Sequence, residues 1–216
     1  MTRRTRIKIC GITHADDALA AAHAGADAIG MVFHGASPRA VTIAHAQQIA
    51  SILPPFVAKV ALFVDADWRR ISQVIDAVRP DLLQFHGDET PHFCAQFGVP
   101  FLKAFRLGKP GVEVDLLECE RVFSMAKGIL LDAFVAGEAG GTGQRFDWSH
   151  IPQTLRPRIV LAGGLTPGNV GDAVRGIGPW AVDVSSGVEG AQKGKKDHGK
   201  MAAFISNVKS ADASCN

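Results

Sequence analysis

The sequence predicts an α/β fold in which eight parallel strands close into a (βα)8 barrel with helices outside. Three observations carry this. Eight short apolar runs recur along the 216 residues: RIKICGI, AIGMVF, FVAKVALFV, LLQFHG, FLKAFR, GILLDA, RIVLAGG and AVDVSSG. Segments of helical character separate most of them, and strand–helix alternation repeated this often builds a parallel sheet. Eight units in a chain of 216 residues suit closure into a TIM barrel. The open doubly wound alternative would usually show a G-x-G-x-x-G turn after its first strand, and none stands there.

The elements follow in order. THADDALAAAHAG offers Thr13 as N-cap, carboxylates in the first turn and Gly25 as a stop. TIAHAQQIASIL, ADWRRISQVIDAV and TPHFCAQFG repeat that plan. The sixth connection, from Phe134 to Pro157, is rich in glycine, so its helix is expected to be short or absent. TPGNVGDAVRG is a weaker helix started by Pro167, and DHGKMAAFISNVK closes the chain. No linker interrupts the pattern. A single domain over residues 1–216 is expected, with residues 209–216 a frayed tail.

Composition excludes several function classes. Hydrophobic residues make up 47% and charged residues 20%, an ordinary globular balance with enough apolar material for a large core. A formal net charge of +2, without long basic runs, gives no ground for nucleic-acid binding. No stretch reaches the roughly 18 apolar residues of a membrane span, and no apolar segment of signal-peptide length follows the basic start. Cys10, Cys94, Cys119 and Cys215 are scattered without C-x-x-C spacing, which argues against a zinc site or a compact disulfide framework. A cytoplasmic chain with no membrane or nucleic-acid partner is expected, acting as a monomer.

Side chains alternate between faces along a strand. One parity class holds Ile7 and Ile9; Ala58, Val60 and Leu62; Leu83 and Phe85; Leu102 and Ala104; Ile129 and Leu131; Val160 and Ala162; Val182 and Val184. All are apolar and are assigned to the helix-facing side. The other class holds Lys8 and Cys10; Lys59; Gln84 and His86; Lys103; Asp132; Asp183 and Ser185. Burying such groups is costly unless they are paired, and an inward ring around a site can pair them. Cys10, Asp132, His86 and Asp183 then converge on the C-terminal end of the strands, where barrel active sites sit. Each has a plainer reading alone: a packing cysteine, a loop-capping aspartate, a histidine in a turn. Their sharing one face and one end favours function.

Three glycine-rich turns follow late strands: AGGTG with Gly141, Thr142 and Gly143; AGGLTP with Gly163 and Gly164; and SSGVEG with Ser185, Ser186 and Gly187. Glycines let backbone N–H groups approach a phosphate, and barrels often hold one after strands seven and eight. The plainer reading is tight βα turns. After the second strand, SPRAV presents Arg39 on a loop stiffened by Pro38. A guanidinium fork suits a carboxylate, although a solvated surface arginine would look the same.

Taken together, KICGIT, SPRAV, LQFHGDE, LLDAF, GGTGQRFDW, LAGGL and VDVSSGVE resemble the phosphoribosylanthranilate isomerase family of tryptophan biosynthesis, from about Ile7 to Phe204. The resemblance implies a (βα)8 barrel that uses no cofactor and no metal and takes a small phosphorylated substrate. It implies an Amadori rearrangement of an aminoaldose to an aminoketose, an isomerisation of the intramolecular oxidoreductase type. It matches Cys10 to the family's base, Asp132 to its acid, Arg39 to its anthranilate-contacting arginine and Asp183 to a second site aspartate. Gly141 to Gly143, Gly163, Gly164, Ser186 and Gly187 match its phosphate loops.

That chemistry suits the residue types. An acid at Asp132 needs a pKa above the ordinary value of about 3.9, and a thiolate base at Cys10 needs one below about 8.5. His86 could act chemically or only brace the site. Two rivals remain: another phosphate-binding barrel enzyme, expected to carry a carboxylate or lysine in place of Cys10, and a non-catalytic phosphoribosyl-binding barrel.

Overall fold

The computed structural model describes residues 4–107, 114–133 and 151–214. Its eight strands are β1 Arg6–Cys10, β2 Ala28–Val32, β3 Ala58–Phe63, β4 Leu82–Phe85, β5 Phe101–Leu107, β6 Gly128–Ala133, β7 Ile159–Ala162 and β8 Ala181–Val184. All pair in parallel with their sequence neighbours, and β8 returns to β1, so the sheet closes. The expected barrel is present, with each apolar run in its place.

Seven helices are described: α1 Ala15–Ala24, α2 Ile43–Ile52, α3 Trp68–Val78, α4 Pro91–Ala95, α5 Leu116–Val122, α6 Val170–Ile177 and α7 His198–Ser214. Local chemistry starts them. Thr42, Asp67, Thr90 and Asp115 each accept a backbone N–H from the first turn of α2, α3, α4 and α5. On α1 the cap differs from expectation. His14 is the N-cap, without a side-chain bond, and Thr13 instead donates to the Gly194 carbonyl at 2.7 Å. That bond ties the first βα loop to the last. The sixth connection contributes a single 3-10 turn, Arg156–Arg158, among its described residues 151–158. Of residues 209–216, expected to fray, the described residues 209–214 continue α7: Ala211 is buried and Asp212 accepts from the backbone and hydroxyl of Thr5.

Two apolar layers result. The larger lies between strands and helices and includes Ile7, Ile9, Ile29, Met31, Phe63, Leu83, Phe85, Leu131 and Val182. Inside the barrel, Leu102, Ala104, Leu130, Val160, Ala162 and Ala181 form one cluster, and Cys10, Val32 and Leu62 another. This corrects the parity on three strands. Val60, Leu62, Leu102, Ala104, Val160 and Ala162 share register with inward residues. Lys59 and Lys103 face outward, Lys103 being paired with Phe85 in the ladder. On β3 and β5 the assignment failed because a polar strand residue can also be satisfied outside the barrel, and β7 has no polar residue to guide it. Lys59 has Asp81 at 3.7 Å and Lys103 has Glu89 at 2.8 Å.

Candidate active site

On β1, Lys8 and Cys10 both point into the barrel, beside Asp183 of β8. The Lys8 ammonium donates to Asp183 Oδ2 at 2.8 Å, and both side chains are almost wholly buried. Asp183 Oδ1 has no partner among the described residues. A buried carboxylate oxygen left this way carries a desolvation cost until a donor reaches it. Cys10 packs against Val32 and Leu62. Burial pushes its thiol up, Lys8 pulls it down, and the net displacement is upward. The downward shift expected of a base is therefore not found, because desolvation of the thiolate outweighs its cations. Burial works against the Lys8 ammonium too, but Asp183 and Cys10 beside it hold it above its ordinary value.

Above this pair the loops after β2 and β8 meet. Arg39 donates side-on to Glu189, from Nε at 2.5 Å and from Nη2 at 2.9 Å. Lys196 Nζ, wholly buried, donates to Glu189 at 3.2 Å and to the Ser185 carbonyl at 3.1 Å. Burial alone would push the Glu189 carboxyl up, yet Arg39 and Lys196 outweigh it and hold it below the usual range. Arg39 is thus a braced side chain, not a solvated one. Its side-on edge is taken, and among the described residues its end-on fork has no partner.

Across the barrel, His86 follows β4 and reaches Asp132 near the end of β6, with Nε2 3.1 Å from Oδ2. The Gln84 amide nitrogen lies 3.2 Å from His86 Nδ1. With Gln84 donating, the histidine proton resides on Nε2 and is directed at Asp132. His86 is therefore more than a turn residue. Asp132 keeps about a quarter of its side chain exposed, enough to meet a ligand.

The glycine turns after β7 and β8 lie against each other. A side chain at Gly187 would collide with the Leu165 carbonyl, so only glycine permits this approach. Gly163 and Gly164 both have positive φ, 82° and 62°. Ser186 opens a 3-10 turn, Ser186–Val188. Among the described residues, the backbone N–H groups of Gly164, Ser186 and Gly187 make no hydrogen bond. Gly141, Thr142 and Gly143 lie outside the described residues.

The sequence of the chain between residues 7 and 207 matches the profile of the family described as N-(5'-phosphoribosyl)anthranilate (PRA) isomerase. The chain belongs to this family. The N-(5'-phosphoribosyl)anthranilate isomerase of Thiobacillus denitrificans is 55% identical over 206 residues, covering 95% of this chain and 98% of that protein. The crystal structure of phosphoribosyl anthranilate isomerase from Thermotoga maritima is 39% identical and superposes with a TM-score of 0.83, covering 95% and 99% of the two chains. A phosphoribosyl anthranilate isomerase in complex with reduced 1-(o-carboxyphenylamino)-1-deoxyribulose 5-phosphate is 38% identical, with a TM-score of 0.79 over 95% and 99%. Within this PRA isomerase family, the present chain groups Cys10, Asp183, Arg39 and Ser185 on one side of the barrel and His86 with Asp132 on the other. Sequence reasoning did not single out Lys8, Glu189 and Lys196. Glu189 closes the VDVSSGVE motif, which is the one available signal. Lys196 sits in the basic stretch KGKK, which reads as solvent-facing.

Proposed function

We propose that this chain converts N-(5'-phosphoribosyl)anthranilate to 1-(o-carboxyphenylamino)-1-deoxyribulose 5-phosphate, a step of tryptophan biosynthesis, with Asp132 as acid and Cys10 as base. The supporting observation is the pairing of an inward thiol flanked by cations with an inward carboxyl held by histidine, on strands separated by β7 and β8. Asp132 gives its proton to the ring oxygen as the C1'–O bond breaks, leaving the anthranilate nitrogen in a protonated Schiff base. His86 occupies Oδ2, so Oδ1 is the oxygen that carries the transferable proton. Cys10 thiolate removes the C2' hydrogen, which the Schiff base has acidified. The enaminol takes a proton at C1' and gives up its C2' hydroxyl proton to become the ketone. C1' is reduced, C2' is oxidised and nothing else is consumed. The unpartnered Asp183 Oδ1 is suited to accept from a sugar hydroxyl. Turnover of freshly prepared substrate, read as loss of anthranilate-type fluorescence, tests the activity; no turnover with a folded protein overturns it. A rival barrel enzyme lacks the cysteine, and a binding-only barrel gives no fluorescence change.

The phosphate belongs at the backbone N–H groups of Gly164, Ser186 and Gly187, which make no hydrogen bond among the described residues, with no lysine required. Sulfate soaked into crystals should occupy that place. Its consistent appearance at the N-terminal end of the barrel would rule the cradle out.

Arg39 takes the anthranilate carboxylate on its end-on fork. Hydrogen bonds to charged groups contribute about 1.5–3 kcal/mol, so Arg39→Ala should raise KM by at least about tenfold. Arg39→Lys should recover only part of this, because an ammonium offers no fork. Unchanged KM and kcat in Arg39→Ala exclude the role.

A further inference from the structure

Lys8 and Cys10 stand two residues apart on one strand, so both enter the barrel on the same face. Cys10 lies opposite Gly30 in the ladder. A Cβ placed on Gly30 would be 2.8 Å from Cys10 Sγ and 3.1 Å from Lys8 Cε. The sulfur and the end of the lysine therefore close on one point, and the glycine makes the room. Asp183 holds the far side of the ammonium at 2.8 Å. An ammonium has three N–H donors, so one bond to Asp183 leaves others for the sulfur.

We infer that Lys8 is the counter-ion of the Cys10 thiolate, held in place by Asp183. Lys8 is thus a positioning residue acting through the base. The inference rests on the reading of Cys10 as that base and adds the group that lets it ionise in a dry interior. The other charged groups facing Cys10 come from the loops: Lys196 after β8, and Arg39 after β2, with Glu189 bound between them. That trio is spoken for by its own bonds and by the substrate carboxylate. Lys8 and Asp183 offset each other, yet the pull of the Lys8 ammonium on the thiol exceeds the push of the Asp183 carboxylate. Among the groups around Cys10, Lys8 exerts the largest downward pull on its thiol.

The test separates this from the catalytic reading. Lys8→Met alone strands a buried Asp183 carboxylate and is expected to unfold, so the comparison is between Asp183→Asn and Lys8→Met/Asp183→Asn. In each, the ultraviolet absorbance of the Cys10 thiolate is titrated as the difference from the same protein carrying Cys10→Ala. Removing a cation disfavours the anion, so the thiolate midpoint should be at least about one pH unit higher in the double variant. Below the midpoint that is about a tenfold lower thiolate fraction. Coincident midpoints overturn the inference, whatever the kinetics. If the midpoint moves while the pH limb of kcat does not follow it, Lys8 remains the counter-ion and Cys10 is not the base.

Discussion

Cys10→Ala lowers kcat by at least about 10²-fold and leaves the barrel folded, because the thiol acts in proton transfer and adds little to packing. Its neighbours Val32 and Leu62 keep their own contacts with the interior, so circular dichroism should be unchanged. Cys10→Ser gives no rescue, since a hydroxyl hardly ionises near neutral pH. Asp132→Asn keeps the His86 hydrogen bond through its amide oxygen but cannot give a proton, and a loss of similar size is expected. Losses in the double variant should fall short of the product, because both groups serve one reaction sequence. The pH dependence has a definite sign. Burial raises the Cys10 thiol, and the active form is the thiolate. The thiolate requirement therefore makes kcat rise with pH and the requirement for a protonated Asp132 makes it fall, so the profile should carry one ascending and one descending limb, while the thiolate fraction of Cys10 itself keeps increasing beyond the ordinary thiol range. Near-normal kcat in Cys10→Ala would leave the residue a packing cysteine and end the assignment.

How far the sequence discloses this architecture depends on where each polar group finds its partner. The order of strands is readable because each apolar run is short and bounded by turn residues, and most are separated by a helical segment. The helix α5 escaped notice, although Asp115 is an N-cap of the ordinary kind. Parity is readable on β1, β4, β6 and β8, where Lys8, Gln84, Asp132 and Asp183 have interior partners. On β3 and β5 the lysine consulted has its partner outside, although Arg106 of β5 shares register with Asp132, and on β7 there is no polar residue to consult. The site shows the same division. Cys10, Asp132 and Asp183 are legible as inward groups at strand ends. Glu189 and Lys196 are not, since their roles exist only when loops distant in sequence meet; Arg39 and Glu189 are 150 positions apart. Arg39 itself reads as a surface arginine until that meeting is known.

Lys103 supplies the largest expected loss of stability, for the same reason that its parity misled. Outside the barrel it donates to Glu89 at 2.8 Å and to the Gly87 carbonyl, with both charged side chains nearly sealed from solvent. Glu89 in turn accepts the backbone N–H of Gly87 at 3.0 Å and of Asp65 at 2.9 Å. The pair therefore grips the Gly87 peptide on both sides, directly after His86, and fastens it to the loop after β3. Lys103→Met keeps most of the volume and removes the cation, leaving a carboxylate buried without its partner. Such a break costs about 3–5 kcal/mol, a large part of the stability of an ordinary domain. Urea unfolding should show the midpoint falling accordingly. Lys103→Met/Glu89→Gln should be more stable than Lys103→Met alone, because a neutral amide tolerates burial better than a lone charge. If the single and double variants unfold together, the pair contributes no charge coupling, and the loss in Lys103→Met is one of packing.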